Sequence, residues 1–257
     1  MPDIDSHPHG TPSWFDLMTD DVEGARAFYG KVFDWEFDVG SPDSGFYSIA
    51  KRRGRKAAGM GQKPADASFP NAWTVYFAVD DCDAAVALAS EHGAHVSMQP
   101  MDVFDQGRMA MLADPTGGVY GLWQPGAHRG AEITAEHGAM AWCEVNTRDL
   151  DRATDYYSAV YDLSPREIDM PSRYATLHRG EPAVAGVLQM TDEWGDMPPH
   201  WMPYFAVADA DAACAVIAAE GGNVAHGPFD TPYGRMAVCT DPSGAAFSVI
   251  RPPEQAG

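Results

Sequence analysis

Trp14-Phe15-Asp16-Leu17-Met18-Thr19 and Trp142-Cys143-Glu144-Val145-Asn146-Thr147 read as one segment written twice, 128 residues apart (142 − 14). Each runs from a strand-like alternation into a helix. The same offset carries Asp21-Val22 onto Asp149-Leu150, Phe28-Tyr29 onto Tyr156-Tyr157, and Val32-Phe33-Asp34 onto Val160-Tyr161-Asp162. A self-match of that length sets the architecture before any single element does: one domain has been duplicated.

Within the first copy, Phe15 and Leu17 alternate with Trp14, Asp16 and Met18, the pattern of a half-buried strand. Asp20 and Asp21 supply N-cap oxygens, and Val22, Ala25, Phe28, Tyr29 and Val32 recur at helical spacing. Two further strands are expected around Phe46–Ile49 and Ala57–Met60, with the basic turn Lys51 to Lys56 between them. A second module repeats the plan: strand Thr74 to Val79, a helix from about Asp83 to Glu91 stopped by Gly93, and strands near Val96, over Arg108 to Ala113 and over Val119 to Trp123. Asp114-Pro115-Thr116-Gly117 is the turn between the last two. Each domain is therefore predicted to be two βαβββ modules. The second copy replays the scheme with helices over Asp149 to Tyr161 and Asp209 to Glu220, and the turn Asp241-Pro242-Ser243-Gly244. Expected boundaries are 8–126 and 136–253, with 127–135 as a linker rich in Gly and Ala. How the four modules pair is left open, one with two and three with four being the simple arrangement.

The chain has 257 residues, room for two domains that each bury a core. Its formal net charge of −20 argues against nucleic acid or an anionic membrane, which need a positive footprint. The N-terminal Met1 to His7 has neither a basic stretch nor an apolar core, and no apolar run approaches a membrane span. Cys82, Cys143, Cys214 and Cys239 are scattered without a Cys-x-x-Cys, as expected of buried free thiols in a reducing, cytoplasmic setting. No Gly-x-Gly-x-x-Gly, P-loop or Gly-x-Ser-x-Gly is present.

The motifs together resemble the vicinal oxygen chelate superfamily of glyoxalases, bleomycin-type resistance proteins and extradiol dioxygenases. They are Asp-x-x-x-Ala-x-x-Phe/Tyr-Tyr on the helix, Tyr-Phe-Ala-Val-x-Asp at the second strand (Tyr76, Tyr204), and Asp-Pro-x-Gly before the final strand. Gly10-Thr11-Pro12-Ser13-Trp14 and the tandem format are similar to the actinobacterial 27-kDa antigen group and its relatives in antibiotic gene clusters. The resemblance covers about residues 10 to 252. It implies an α+β fold in which each domain is a curled, cup-shaped mixed sheet with helices outside. It also implies a divalent metal on the concave face, held by His, Gln or Glu. Carried over residue by residue, the ligand positions fall on Trp14, Thr74 and Gly121, and on Trp142, Met202 and Ser248. These side chains lack the donors that such a metal requires, so no metal and no other cofactor is expected.

Strand parity places Trp14, Asp16, Met18, Thr74, Tyr76, Gly121 and Trp123 inside the first cup. Trp142, Glu144, Asn146, His200, Met202, Tyr204, Ser248 and Ile250 line the second. Aromatic walls with one carboxylate each suit a hydrophobic, aromatic small molecule. Asp16 and Glu144 are the acid/base candidates, or satisfy neighbouring tyrosines; His200 is a single histidine near the rim. Arg108 and Arg235, both in Gly-Arg-Met-Ala, are expected to form structural ion pairs, the alternatives being to pair with Asp16 and Glu144 or to meet an anionic ligand. Trp14 and Trp142 either stack a ligand or fill space. His137, His178 and His226 are read as solvated. The Lys51 to Lys56 turn is a solvated tip, or docks acids of the chain itself.

Metal-free binding of an aromatic ligand, by sequestration or assisted conversion, is the first functional expectation. The alternatives are a glyoxalase-like lyase or isomerase, a metal-independent isomerase or cyclase of secondary metabolism using Asp16 or Glu144, and a structural role if the cups are plugged. A homodimer is compatible with all four.

Overall fold

The computed structural model describes residues 4–253. In the first domain the elements are β1 (Pro12–Thr19), α1 (Val22–Phe33), β2 (Glu36–Val39), β3 (Ser48–Arg52), β4 (Arg55–Gln62), β5 (Ala72–Ala78), α2 (Cys82–Glu91), β6 (His95–Val103), β7 (Gly107–Ala113) and β8 (Val119–Pro125). The second domain repeats them as β9 (Met140–Thr147), α3 (Leu150–Tyr161), β10 (Ser164–Ile168), β11 (Tyr174–His178), β12 (Ala183–Gln189), β13 (His200–Ala206), α4 (Ala210–Ala219), β14 (Asn223–Thr231), β15 (Gly234–Thr240) and β16 (Ala246–Arg251). Each domain is one mixed eight-stranded sheet, ordered β2-β3-β4-β1-β5-β8-β7-β6 and β10-β11-β12-β9-β13-β16-β15-β14. Modules one and two thus share a sheet, as do three and four.

Aspartates open all four helices. Asp21, Asp81, Asp149 and Asp209 each accept a hydrogen bond from a backbone N–H three residues on, at Gly24, Ala84, Arg152 and Ala212. The first helix of each domain ends at an aspartate in the left-handed region, Asp34 and Asp162, both with φ 53°. Two edge strands, β2 and β10, lie outside the segments marked by alternation. Their residues are mostly exposed, so no apolar face announces them.

Helices cover the convex face of each sheet, and the two convex faces meet. The main core is accordingly shared by both domains. Phe205 of β13 sits among Phe15, Phe33, Trp35 and Trp73 of the first domain, with ring centroids 5.6, 4.9, 5.6 and 5.0 Å away. Phe77 of β5 makes the reciprocal insertion among Tyr157, Tyr161 and Trp201. Phenols and turns are exchanged in the same way. Tyr157 of α3 donates to Oδ2 of Asp114 at 2.7 Å, and Tyr29 of α1 donates to Oδ2 of Asp241 at 3.1 Å. The other oxygen of each aspartate receives backbone N–H groups of its own turn.

Tyr157 also accepts from the indole of Trp201 at 3.1 Å. Tyr157→Phe leaves that donor and a buried carboxylate oxygen unpaired, and is expected to cost about 1–3 kcal/mol in urea unfolding. Full retention of the midpoint would show that water replaces the phenol.

The basic hairpin β3–β4 docks on the chain's own acids. Lys51 pairs with Asp38, Arg52 with Asp34 at 3.2 Å, Arg55 with Glu136, and Lys56 with Glu132 at 3.6 Å. The last two acids belong to the segment between the domains, which runs along the first sheet: Ala131 donates its N–H to the Ser13 carbonyl at 2.8 Å. All four cysteines are free and buried. Among the described residues no helix is long and apolar enough to cross a membrane.

Candidate functional site

The strand registers bring the expected inward residues together. Asp16 lies opposite Thr74 and Trp14 opposite Tyr76, while Tyr76 pairs with Gly121 and Ala78 with Trp123. In the second cup Glu144 is opposite Met202, Trp142 opposite Tyr204, Asn146 opposite His200, and Tyr204 beside Ser248. The concave floor of the second cup, Met202, Tyr204 and Ile250 with half-buried Trp142, Met236 and Val238 around it, forms an apolar cluster separate from the shared core.

A short relay recurs in both cups. Trp14 Nε1 donates to Tyr47 Oη at 3.1 Å, and Tyr47 donates to Asp16 Oδ2 at 3.2 Å. Trp142 Nε1 donates to Tyr174 Oη at 2.9 Å, and Tyr174 donates to Glu144 Oε2 at 2.7 Å. Glycines make room for these rings. A Cβ on Gly59 would lie 1.8 Å from Tyr47 Oη, one on Gly186 2.0 Å from Tyr174 Oη, and one on Gly121 2.2 Å from the Tyr76 ring. Tyr47 and Tyr174 were not among the residues singled out from the sequence. They stand 127 residues apart (174 − 47), so the repeat itself carried their signal.

The two carboxyls differ by one methylene, and their environments differ with it. Glu144 reaches two phenols, Tyr174 and Tyr204, the latter donating to Oε1 at 2.8 Å. Asp16 accepts at Oδ2 from Tyr47. The phenol of Tyr76 favours its charged form, yet Oδ1 remains buried without a hydrogen-bond partner among the described residues. Burial pushes the Asp16 carboxyl up to about 7, partly offset by Tyr47 and Tyr76. Burial also raises Glu144, against the pull of Tyr174 and Tyr204. The phenols of Tyr47, Tyr76 and Tyr204 are themselves driven well above their ordinary value by burial and the adjacent carboxyls, so they remain donors.

His200 has both ring nitrogens engaged. Nδ1 lies 2.9 Å from the Pro198 carbonyl, which can only accept, so it carries the proton; Nε2 then accepts from Asn146 Nδ2 at 3.0 Å. Burial lowers its pKa. Asn146 Oδ1 is left buried without a partner among the described residues.

Arg108 and Arg235 lie outside the cups. Arg108 bonds Asp83 at 2.7 Å and Asp102 at 2.9 Å, and Arg235 bonds Asp211 at 2.6 Å and Asp230 at 3.2 Å. Asp83 and Asp211 stand on the first turns of α2 and α4, so both arginines tie sheet to helix on the convex side. The structural ion pair forms, but with other acids than Asp16 and Glu144. His178 is buried, between Thr176 Oγ1 and the Glu181 carbonyl, rather than solvated. His137 is half-buried near Asp34.

The floor of the first cup is closed more tightly than that of the second. Trp14 and Trp123 are 4% and 8% exposed, whereas Met18, Thr74, Met109 and Met111 stay half-buried as an adaptable wall. A groove of about 620 Å³, lined by Asp20, Gly45, Gln62, Lys63, Pro64, Ala65 and Ala67, opens at the strand ends. The divalent metal implied by the resemblance does not fit the donors present. Its positions hold indole, hydroxyl, thioether or no side chain, both Glu144 oxygens are taken by phenols, and no group of three His, Cys, Asp or Glu residues converges among the described residues.

Residues 11–119 and 139–249 each match the profile of the Glyoxalase/Bleomycin resistance protein/Dioxygenase superfamily. The chain is 40% identical to "Putative glyoxylase CFP32" of Mycobacterium bovis over 99% of its own length and 100% of the relative's. It is 37% identical to "Anthracycline biosynthesis protein DnrV" of Streptomyces peucetius, covering 94% and 93% of the two chains. Among solved structures, the Mn(II)-bound glyoxalase of Novosphingobium aromaticivorans superposes with a TM-score of 0.66 at 15% identity, over 94% of this chain and 82% of that one. That last likeness concerns the fold.

Proposed function

The chain belongs to the glyoxalase/bleomycin resistance protein/dioxygenase superfamily, and from that premise we propose that it binds a hydrophobic, hydroxyl-bearing aromatic small molecule in its cups without a metal in the family's position. The observation that carries this reading is the paired relay of indole, phenol and buried carboxyl. It gives each cup an aromatic face for a ring, and in the first cup a carboxyl oxygen without a partner among the described residues to orient it. Relatives named for anthracycline biosynthesis favour a polycyclic aromatic skeleton over a small dicarbonyl adduct.

The direct test is titration of the protein with alizarin (1,2-dihydroxyanthraquinone) in the presence of EDTA, read by tryptophan fluorescence. Saturable quenching is expected, and Trp142→Ala, which removes a half-buried ring from the second cup, weakens binding at that cup by about tenfold. Absence of saturation abandons the proposal. Mn(II), Ni(II) and Zn(II) are expected to leave the melting temperature unchanged, because a metal that bound the folded chain would raise it by mass action.

A second reading, proton transfer by Asp16 during conversion of such a ligand, is favoured by a carboxyl held near neutrality with one oxygen free. Asp16→Asn would then abolish turnover while saturable binding of alizarin, even if weakened, persists.

A further inference from the structure

His128 belongs to the segment joining the domains, yet its side chain lies inside the first. The imidazole sits edge-on to Trp14, with centroids 4.4 Å apart, and 5.5 Å from Trp123. The Trp123 indole donates to the His128 carbonyl at 2.8 Å, pinning the backbone where the ring must enter. The residue is 7% exposed, and neither ring nitrogen has a hydrogen-bond partner among the described residues. A neutral imidazole presents one donor and one acceptor. Leaving both unmade in an apolar site costs stability, and filling the space with a plain hydrophobic ring would not. Trp14 connects this ring to the other unsatisfied group of the cup, since its indole N–H leads through Tyr47 to Asp16, whose Oδ1 is equally unpartnered.

We propose that His128 is a ligand-contacting residue of the first cup, and that with Asp16 Oδ1 it selects planar ligands carrying a hydroxyl beside a carbonyl over the same skeleton without the hydroxyl. This rests on the reading that the cups hold aromatic molecules, and it adds which functional groups the first one recognises. The hydroxyl donates to whichever nitrogen or carboxyl oxygen is bare, and the ligand oxygens accept from the ring N–H.

The experiment compares alizarin with unsubstituted 9,10-anthraquinone, in EDTA, on the full chain and on His128→Phe and His128→Gln. The full chain is expected to prefer alizarin by about tenfold or more. His128→Phe reduces the preference to within about twofold while still binding anthraquinone, and melts higher than the parent because two buried unpaired atoms are gone. His128→Gln, with an amide donor and acceptor, recovers part of the preference. An undiminished preference in His128→Phe overturns the assignment and leaves aromatic binding intact. So does a lower melting temperature with the preference kept, which would mean that buried water satisfies the ring. Failure of the full chain to bind either compound removes both this assignment and the reading beneath it.

Discussion

Asp16→Asn gains stability over the parent protein as pH rises from about 4 to about 7, by about 4 kcal/mol across that window. The carboxyl is buried beneath Trp14 and the tyrosines, and its folded-state pKa stands near 7 against an ordinary 3.8. A carboxyl raised in this sense binds more protons in the folded chain than in the unfolded one. Its contribution to stability is therefore complete below the unfolded value and is lost as pH climbs through the folded value. Asparagine does not titrate, so the loss disappears. The comparison has to be a difference between the two proteins, because His128, lowered to about 4 by burial, and the half-buried His7 and His200, also lowered, add slopes of opposite sign. Urea unfolding at pH 4.5, 6 and 7.5 provides the measurement. Parallel curves for the two proteins would place Asp16 in water instead of in a closed cup.

Phe205→Ala is expected to cost about 3–5 kcal/mol, the range for a fully buried aromatic ring removed without collapse of its surroundings. Phe205 has no exposed surface, and four of its ring neighbours belong to the other domain. The damage should consequently reach both halves. Denaturation followed by fluorescence, to which Trp14, Trp35, Trp73 and Trp123 of the first domain and Trp142, Trp194 and Trp201 of the second all contribute, should show one transition shifted as a whole. A loss confined below about 1 kcal/mol would show that the shared core repacks around the void.

Much of this was legible in the chain. Duplication gave the two domains, and period-2 parity placed Trp14, Asp16, Thr74, Tyr76, Glu144, Met202 and Tyr204 on the concave faces where they stand. The parts that stayed hidden have physical reasons. Tyr47 and Tyr174 follow irregular segments and reach, from two strands away, over the glycines paired directly with the carboxyl residues, a contact between distant positions that periodicity does not encode. His128 lies in a stretch without any period, and its burial comes from Trp123 clasping the backbone. Arg108 and Arg235 were weighed as ligand contacts, but the parity that put Trp123 inward puts Arg108, opposite Gln124, on the helical side. Length also mattered: aspartate against glutamate looks conservative, yet both oxygens of Glu144 are bonded by phenols while Oδ1 of the shorter Asp16 has no partner among the described residues.

The exchange of Tyr29 for Asp241 and Tyr157 for Asp114 bears on how such a chain could have arisen. Neither repeat supplies the phenol that its own turn aspartate accepts from, so a single copy made alone would leave that oxygen unpaired or fill it by pairing with a second copy. Fusion then turned an encounter between molecules into a tether, and freed the halves to diverge into one cup with a satisfied glutamate and another with an aspartate left waiting.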